Sequence, residues 1–290
     1  MSSGHTTPSK GHAPGFRAIR FNIDWITRPL FGLLLAGITI AVVFVGPRDF
    51  AILIALAFVL AALEWHRCVS AGTNYRAAAA LTAATVAVAE AVLLTSGHFW
   101  AGLIAVLLGA AASYLLALQQ HKHPLWQAAG VPYLAVPALS LVALSSQPHG
   151  AQIVIGMLLI VWATDTGALV FGNLIGGPRI APRISPGKTW AGTLGGSICA
   201  ALVYGLYIDL LLGHWALWAP PFAFLFSFAA HSGDLFESFV KRHFGLKDSG
   251  NAIPGHGGVL DRIDSTLAAA PLLALLTLVA HLNPLFGVHP

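Results

Sequence analysis

Residues 151–173 read AQIVIGMLLIVWATDTGALVFGN, an apolar run broken by one ionisable side chain, Asp165. About 20 such residues in helical conformation cross the ~30 Å hydrocarbon layer of a bilayer. Working outward, comparable stretches recur at 30–46, 50–65, 77–95, 99–118 and 129–145 before this one, and at 192–213, 216–236 and 264–282 after it. The second and fifth are the shortest. Composition agrees, with 57% of residues hydrophobic and only 9% charged, against about 25% charged in soluble domains. Tryptophans at segment ends (Trp25, Trp65, Trp100, Trp126, Trp215, Trp218) suit an interfacial aromatic belt. The expected fold class is all-α, a polytopic integral membrane protein of about nine transmembrane helices. It divides into a basic tail over 1–29, N-terminal helices over 30–150 and a C-terminal, chemistry-bearing set over 151–290.

Charge placement orients these spans. Lys and Arg fall on one side in the tail (Lys10, Arg17, Arg20, Arg28) and after span two (Arg67, Arg76), span four (Lys122), span six (Arg179, Arg183, Lys188) and span eight (Lys241, Arg242, Lys247, Arg262). Arg48 alone falls on the other. The positive-inside rule then sets the N-terminus in the cytoplasm. The tail is too polar to hold a signal-peptide core. Two cysteines, Cys68 and Cys199, without metal-type spacing support neither a disulfide framework nor a zinc site.

Ionisable groups in hydrocarbon cost about 2.5–3.5 kcal/mol on insertion scales and are functional candidates by default. Glu90, Asp165, and Asp234 with Glu237 qualify. Glu90 stands among apolar neighbours, where a structural contact is the plainer reading. Asp165 sits in a polar cluster with Thr164 and Thr166. On a helix, Asp234, Glu237, Ser238 and Lys241 share one face at i, i+3, i+4 and i+7. Asp261 and Asp264 are again i and i+3 at the start of the last span. Between them lies a loop with Lys241, Arg242, Lys247, His256 and Arg262. Carboxylates suit a hard cation such as Mg²⁺, and Lys and Arg suit phosphate oxygens. Pro254-Gly255-His256-Gly257-Gly258 offers backbone N–H groups that can approach an anion without Cβ obstruction.

A second element, Ser185-Pro186-Gly187-Lys188-Thr189-Trp190, ends in GKT like a P-loop. Pro182 stands where the first P-loop glycine belongs and no strand is expected before it, so a Walker A reading fails. A Ser, a Lys and a Thr at the mouth of a helix still suit a phosphate.

The stretch from Ser238 to Asp264, with S-x-x-K-R over Ser238–Arg242, K-D at Lys247 and Asp248, H-G-G over His256–Gly258 and D-R-x-D over Asp261–Asp264, resembles the signature of the phosphatidate cytidylyltransferases (CDP-diacylglycerol synthases). Gly233-Asp234-Leu-Phe-Glu237-Ser238 and the Ser185–Trp190 element resemble the same family in the same order. The recognisable portion covers about 163–264. Two positions depart from it: Ala191, where a glutamate is common, and Leu169, near which a tyrosine is common. The resemblance implies attack of a phosphatidate oxygen on the α-phosphorus of CTP, releasing pyrophosphate. It implies Asp234 and Asp261 as ligands of a Mg²⁺-containing centre that can include a second metal ion. Asp264, Lys241 and Arg242 then join these as catalytic candidates. Ser185, Lys188, Thr189, Ser238, Lys247, Asp248, His256, Gly257, Gly258, Arg262 and Asp165 are the substrate-binding candidates. Implied too are a lipid-bilayer setting in the inner (cytoplasmic) membrane with the site facing the cytoplasm, a homodimer, and no nucleic-acid partner.

Other classes remain in view. A transporter would use Asp165 and Asp234 as ion or proton sites, but no inverted repeat accompanies them. The CDP-alcohol phosphotransferases carry a D-G-x-x-A-R pattern that this chain lacks. The same chemistry on an ether-linked or isoprenoid phosphatidate is not separable by residue types, and a CTP-using lipid kinase is a more remote reading.

Overall fold

The computed structural model describes residues 24–70, 75–119, 123–250 and 258–282. In chain order they form α1 (Asp24–Val45), α2 (Pro47–Val69), α3 (Tyr75–Ser96), α4 (Phe99–Gln119), α5 (Pro124–Ser145), α6 (Gly150–Ile175), β1 (Arg179–Ala181), β2 (Ser185–Thr189), α7 (Trp190–Leu212), α8 (Ala219–His243) and α9 (Leu260–Ala274), the last continued by a π turn over Leu275–Val279. Seven of the described helices are long and apolar enough to cross a membrane: α2 to α7, and α9 with its π turn. The apolar part of α1, Gly32–Val45, is shorter. α8 is not among the seven, because it carries the polar residues of the site. The expected all-α membrane fold stands.

Two short spans lengthen for local reasons. α2 runs on through Glu64, His66 and Arg67 to Val69, and α5 starts back at Pro124, a residue suited to the first helical turn. α5 is the central helix. It packs against α2, α3, α4, α6 and α9, and 72% of its apolar window is buried, against 28% for α4 at the periphery. α6 and α7 pack most closely, through glycines: a Cβ on Gly196 would sit 2.5 Å from the Thr164 carbonyl oxygen, as small-residue helix interfaces in membranes allow.

The connections sort to two ends. The α3–α4 turn (Gly97, His98), the α5–α6 turn (Ser146, Gln147) and the π turn (Leu278, Val279) line one shared cavity of about 430 Å³. At the other end, Trp126 of α5 stacks near His243 of α8 with ring centroids 5.1 Å apart, and Arg242 Nε reaches the Ile184 carbonyl at 3.5 Å.

One element departs from the expected all-helical chain. β1 and β2 form an antiparallel hairpin, pairing Arg179 with Thr189 and Ala181 with Ser185. Pro and Gly in SPGKT give it poor strand propensity, so the pairing partner rather than local preference makes the strand. A strand therefore does lead into the GKT tail, contrary to expectation. The Walker A reading still fails, because Pro182 and Arg183 occupy the hairpin turn.

Candidate active site

Gly233 brings the acids together. A Cβ there would lie 2.3 Å from the Asp264 carbonyl oxygen, so α8 and α9 cross almost backbone to backbone between Asp234 and Asp264. Two linked polar layers result.

In the first, the Lys188 ammonium, delivered by β2, lies 2.5 Å from Asp234 Oδ2. It makes an ion-pair contact rather than an aligned hydrogen bond, since its Nζ lacks a partner of good hydrogen-bond geometry. Ser238 Oγ donates to Asp234 Oδ1 at 3.4 Å. Asp165 and Asp264 both interact electrostatically with Asp234. Asp165 on α6 accepts from Ser265 Oγ at 3.2 Å, and Asp264 Oδ1 accepts from the Ser265 N–H at 2.7 Å.

In the second layer, Lys241 Nζ bridges Glu237 Oε2 at 3.0 Å and Asp261 Oδ1 at 2.7 Å. Asp261 also accepts from the Ser249 N–H at 3.2 Å and the Gly258 N–H at 3.0 Å, both on Oδ2. Glu237 is 1% exposed and its Oε1 has no hydrogen-bond partner. It couples the layers, interacting with both Asp264 and Asp261.

The remaining candidates divide. Thr189 Oγ1 accepts from the Gly192 N–H at 3.1 Å and caps α7, satisfying one of the four orphan N–H donors of its first turn. Arg242 holds the Ile184 and Leu246 carbonyls at 3.5 and 3.2 Å, tying the hairpin to the end of α8. Ser185 is half-buried on β2, and Lys247, Asp248 and Arg262 are exposed. The Gly258 N–H meets Asp261, so the anion that this glycine approaches is the chain's own carboxylate. His256 and Gly257 lie outside the described residues.

Sequence reasoning missed two contributors. Tyr133 of α5, whose hydroxyl is buried without a hydrogen-bond partner, interacts electrostatically with Glu237, Asp264 and Asp234. Glu64 of α2 is 6% exposed and accepts from the Val259 and Leu260 N–H groups at 3.1 and 2.8 Å. An acid at the charged end of span two was the available signal for Glu64; nothing local pointed to Tyr133.

Five carboxylates (Asp165, Asp234, Glu237, Asp261, Asp264) thus share two ammonium groups. The set is all oxygen and in excess negative charge, which fits a hard cation. Among the described residues no three acids, histidines or cysteines are drawn into a ready metal cage; Lys188 and Lys241 sit against the carboxylates.

The sequence matches the Cytidylyltransferase family over residues 26–280. The chain belongs to that family. Among curated proteins it is 44% identical, over 187 residues, to a phosphatidate cytidylyltransferase of Brucella suis biovar 1, covering 63% of this chain and 65% of that protein. A phosphatidate cytidylyltransferase of Brucella abortus gives the same identity and coverage. One from Staphylococcus epidermidis is 44% identical over 134 residues, 45% of this chain and 51% of its own. The match thus spans just under two thirds of the length of the Brucella proteins and about half of the Staphylococcus one. The family match begins at residue 26, within α1, so it takes in the N-terminal helices that the signature alone left out.

Proposed function

We propose that this chain is a phosphatidate cytidylyltransferase, converting CTP and phosphatidic acid to CDP-diacylglycerol and pyrophosphate in membrane phospholipid biosynthesis. The observation that carries the proposal is the two-layered acid–lysine cluster between α6, α8, α9 and the hairpin, in which Ser238, Lys241, Asp261 and Asp264 of the Ser238–Asp264 signature meet Asp165, Lys188, Asp234 and Glu237. Its place at the end of membrane-type helices suits a substrate whose tails stay in the bilayer while its headgroup meets a nucleotide from water.

Both reactants are polyanions, so the barrier lies in their repulsion and in charge growing on the leaving pyrophosphate. The phosphatidate monoester, with a second pKa of about 6, is largely ionised at neutral pH, and no strong general base is required. Asp234 and Asp261 would hold Mg²⁺, and a second ion would draw on the surrounding acids; bound there, the metal supplies Lewis-acid stabilisation of phosphate charge. Lys188, Lys241, Arg242, Lys247 and Arg262 supply fixed positive charge for phosphate oxygens. Ser185, Thr189, Ser238 and His256 supply hydrogen-bond donors. Arg242 also keeps the hairpin, and with it Lys188, close to α8.

The proposal extends to nine crossings with a cytoplasmic N-terminus and cytoplasm-facing site in the inner membrane, supported by the charge asymmetry, and to a homodimer. Thiol labelling from one side of the membrane and the mass of the detergent complex test those two features.

The reaction is tested by pyrophosphate release from the detergent-purified chain given CTP and phosphatidic acid, with and without Mg²⁺, beside Asp261→Asn. Release should need both substrates and the metal and should fall at least about 100-fold in the variant. Absence of release with every lipid–CTP combination would overturn the reading, and the intramembrane acids would then be tested as ion sites.

A further inference from the structure

The loop that carries H-G-G leaves α8 and returns as α9, and the structure describes both of its ends. At the returning end, the first N–H groups of α9 have no intrahelical acceptor, and Val259 at the N-cap has no side-chain cap. The acceptor comes from the other half of the chain. Glu64 Oε1 takes the Val259 N–H at 3.1 Å, and Oε2 takes the Leu260 N–H at 2.8 Å. The departing end meets the same carboxylate, with Ser249 Oγ donating to Glu64 Oε2 at 3.4 Å.

Both described ends of the loop pass this carboxylate closely. A Cβ on Gly250 would fall 2.6 Å from Glu64 Oε1, and one on Gly258 would fall 2.6 Å from Oε2 and 2.2 Å from Ser249 Oγ. The two glycines let the chain pass close to its own glutamate without displacing that side chain. A negative charge at a helix N-terminus is also electrostatically favoured. Beside Glu64, Asp261 takes the next donors, Gly258 N–H and Ser249 N–H. The two acids divide the backbone donors at both loop ends between them. The Val259 and Leu260 N–H groups at the start of α9 are thereby taken by Glu64 and not left for an incoming phosphate.

We propose that Glu64 is a positioning residue for the reaction: from α2 it clasps both ends of the loop over 249–258 and so fixes Asp261 for cation and nucleotide binding. This rests on the cytidylyltransferase reading, but the clasp can be measured without it. In Glu64→Gln one oxygen acceptor becomes an NH₂ donor facing a backbone N–H, at nearly unchanged volume. Amide hydrogen exchange should then quicken at 249–250 and 258–262 and stay as in the wild type in α3 and α4. The KM for CTP and the Mg²⁺ concentration for half-maximal activity should each rise about tenfold, as expected for losing one charge-assisted hydrogen bond. A purely structural role would reduce the number of active molecules and leave both midpoints where they were. Unchanged midpoints (within about twofold) overturn the proposal, whatever the local exchange does. Should Glu64→Gln fail to fold, Gly250→Ala presses on the same carboxylate from the loop side and must shift the same readouts the same way. If the wild type itself releases no pyrophosphate, the reaction reading fails, and the exchange pattern alone decides whether the clasp exists.

Discussion

The helices before the α5–α6 turn and those after it bury polar groups in different ways. In α1–α5 they are scattered through an apolar core. Glu90 is 3% exposed with Oε1 unpartnered, and Gln127 Oε1, Ser140 Oγ and His66 Nδ1 are likewise without hydrogen bonds. In α6–α9 the acids are gathered: Lys188 meets Asp234, Lys241 bridges Glu237 and Asp261, and Ser265 links Asp165 to Asp264. Buried charges persist where partners are supplied, so the second half is organised around charge and the first around packing. The first half still enters the site, through Glu64 and Tyr133, which reach across from α2 and α5. The difference lies in who assembles the charge and who holds it in place.

Lys241 gives the largest test of that contrast. Its ammonium is 14% exposed and serves a carboxylate that is 1% exposed, so Lys241→Met leaves uncompensated charge. Breaking such a pair from one side costs about 3–5 kcal/mol, read as a lower midpoint of thermal unfolding in detergent. Adding Glu237→Gln should recover part of the loss; no loss at all would show the acids to be held by something else.

Gly233 tests packing and charge together. Gly233→Ala places a methyl group against the Asp264 carbonyl, and an overpacked helix crossing costs about 1–3 kcal/mol. Pyrophosphate release should suffer as well, because Asp234 and Asp264 flank the crossing. Gly37→Ala on α1, where a Cβ meets nothing within 4 Å, is the matched control and should leave the unfolding midpoint in place. Equal effects at the two glycines would erase the distinction between the regions.

The smallest effect is expected at Glu90. Glu90→Gln keeps the shape and should leave pyrophosphate release within about twofold of the wild type, less than 0.5 kcal/mol. A large loss of release there would break the comparison, since an acid with no ammonium or backbone N–H partner among the described residues would then matter as much as those that have them.

Much of this molecule was legible in the chain. Apolar runs of membrane length gave the helices, because the hydrocarbon layer demands both apolar surface and internally satisfied backbone. Helical periodicity put Asp234, Glu237, Ser238 and Lys241 on one face, and the signature marked which loop faces them. The sequence did not reveal that Lys188 turns inward to Asp234, that SPGKT is a strand, or that Glu64 caps α9. Pairings between residues as far apart as 64 and 260 are set by how helices cross, and helix crossing depends on small residues such as Gly196 and Gly233 whose meaning appears only once the opposing backbone is in place. Composition and period determined which segments are helices and which residues could do chemistry; tertiary packing alone decided which charges neutralise one another, because a side chain's partner is fixed by three-dimensional proximity and not by its place in the chain.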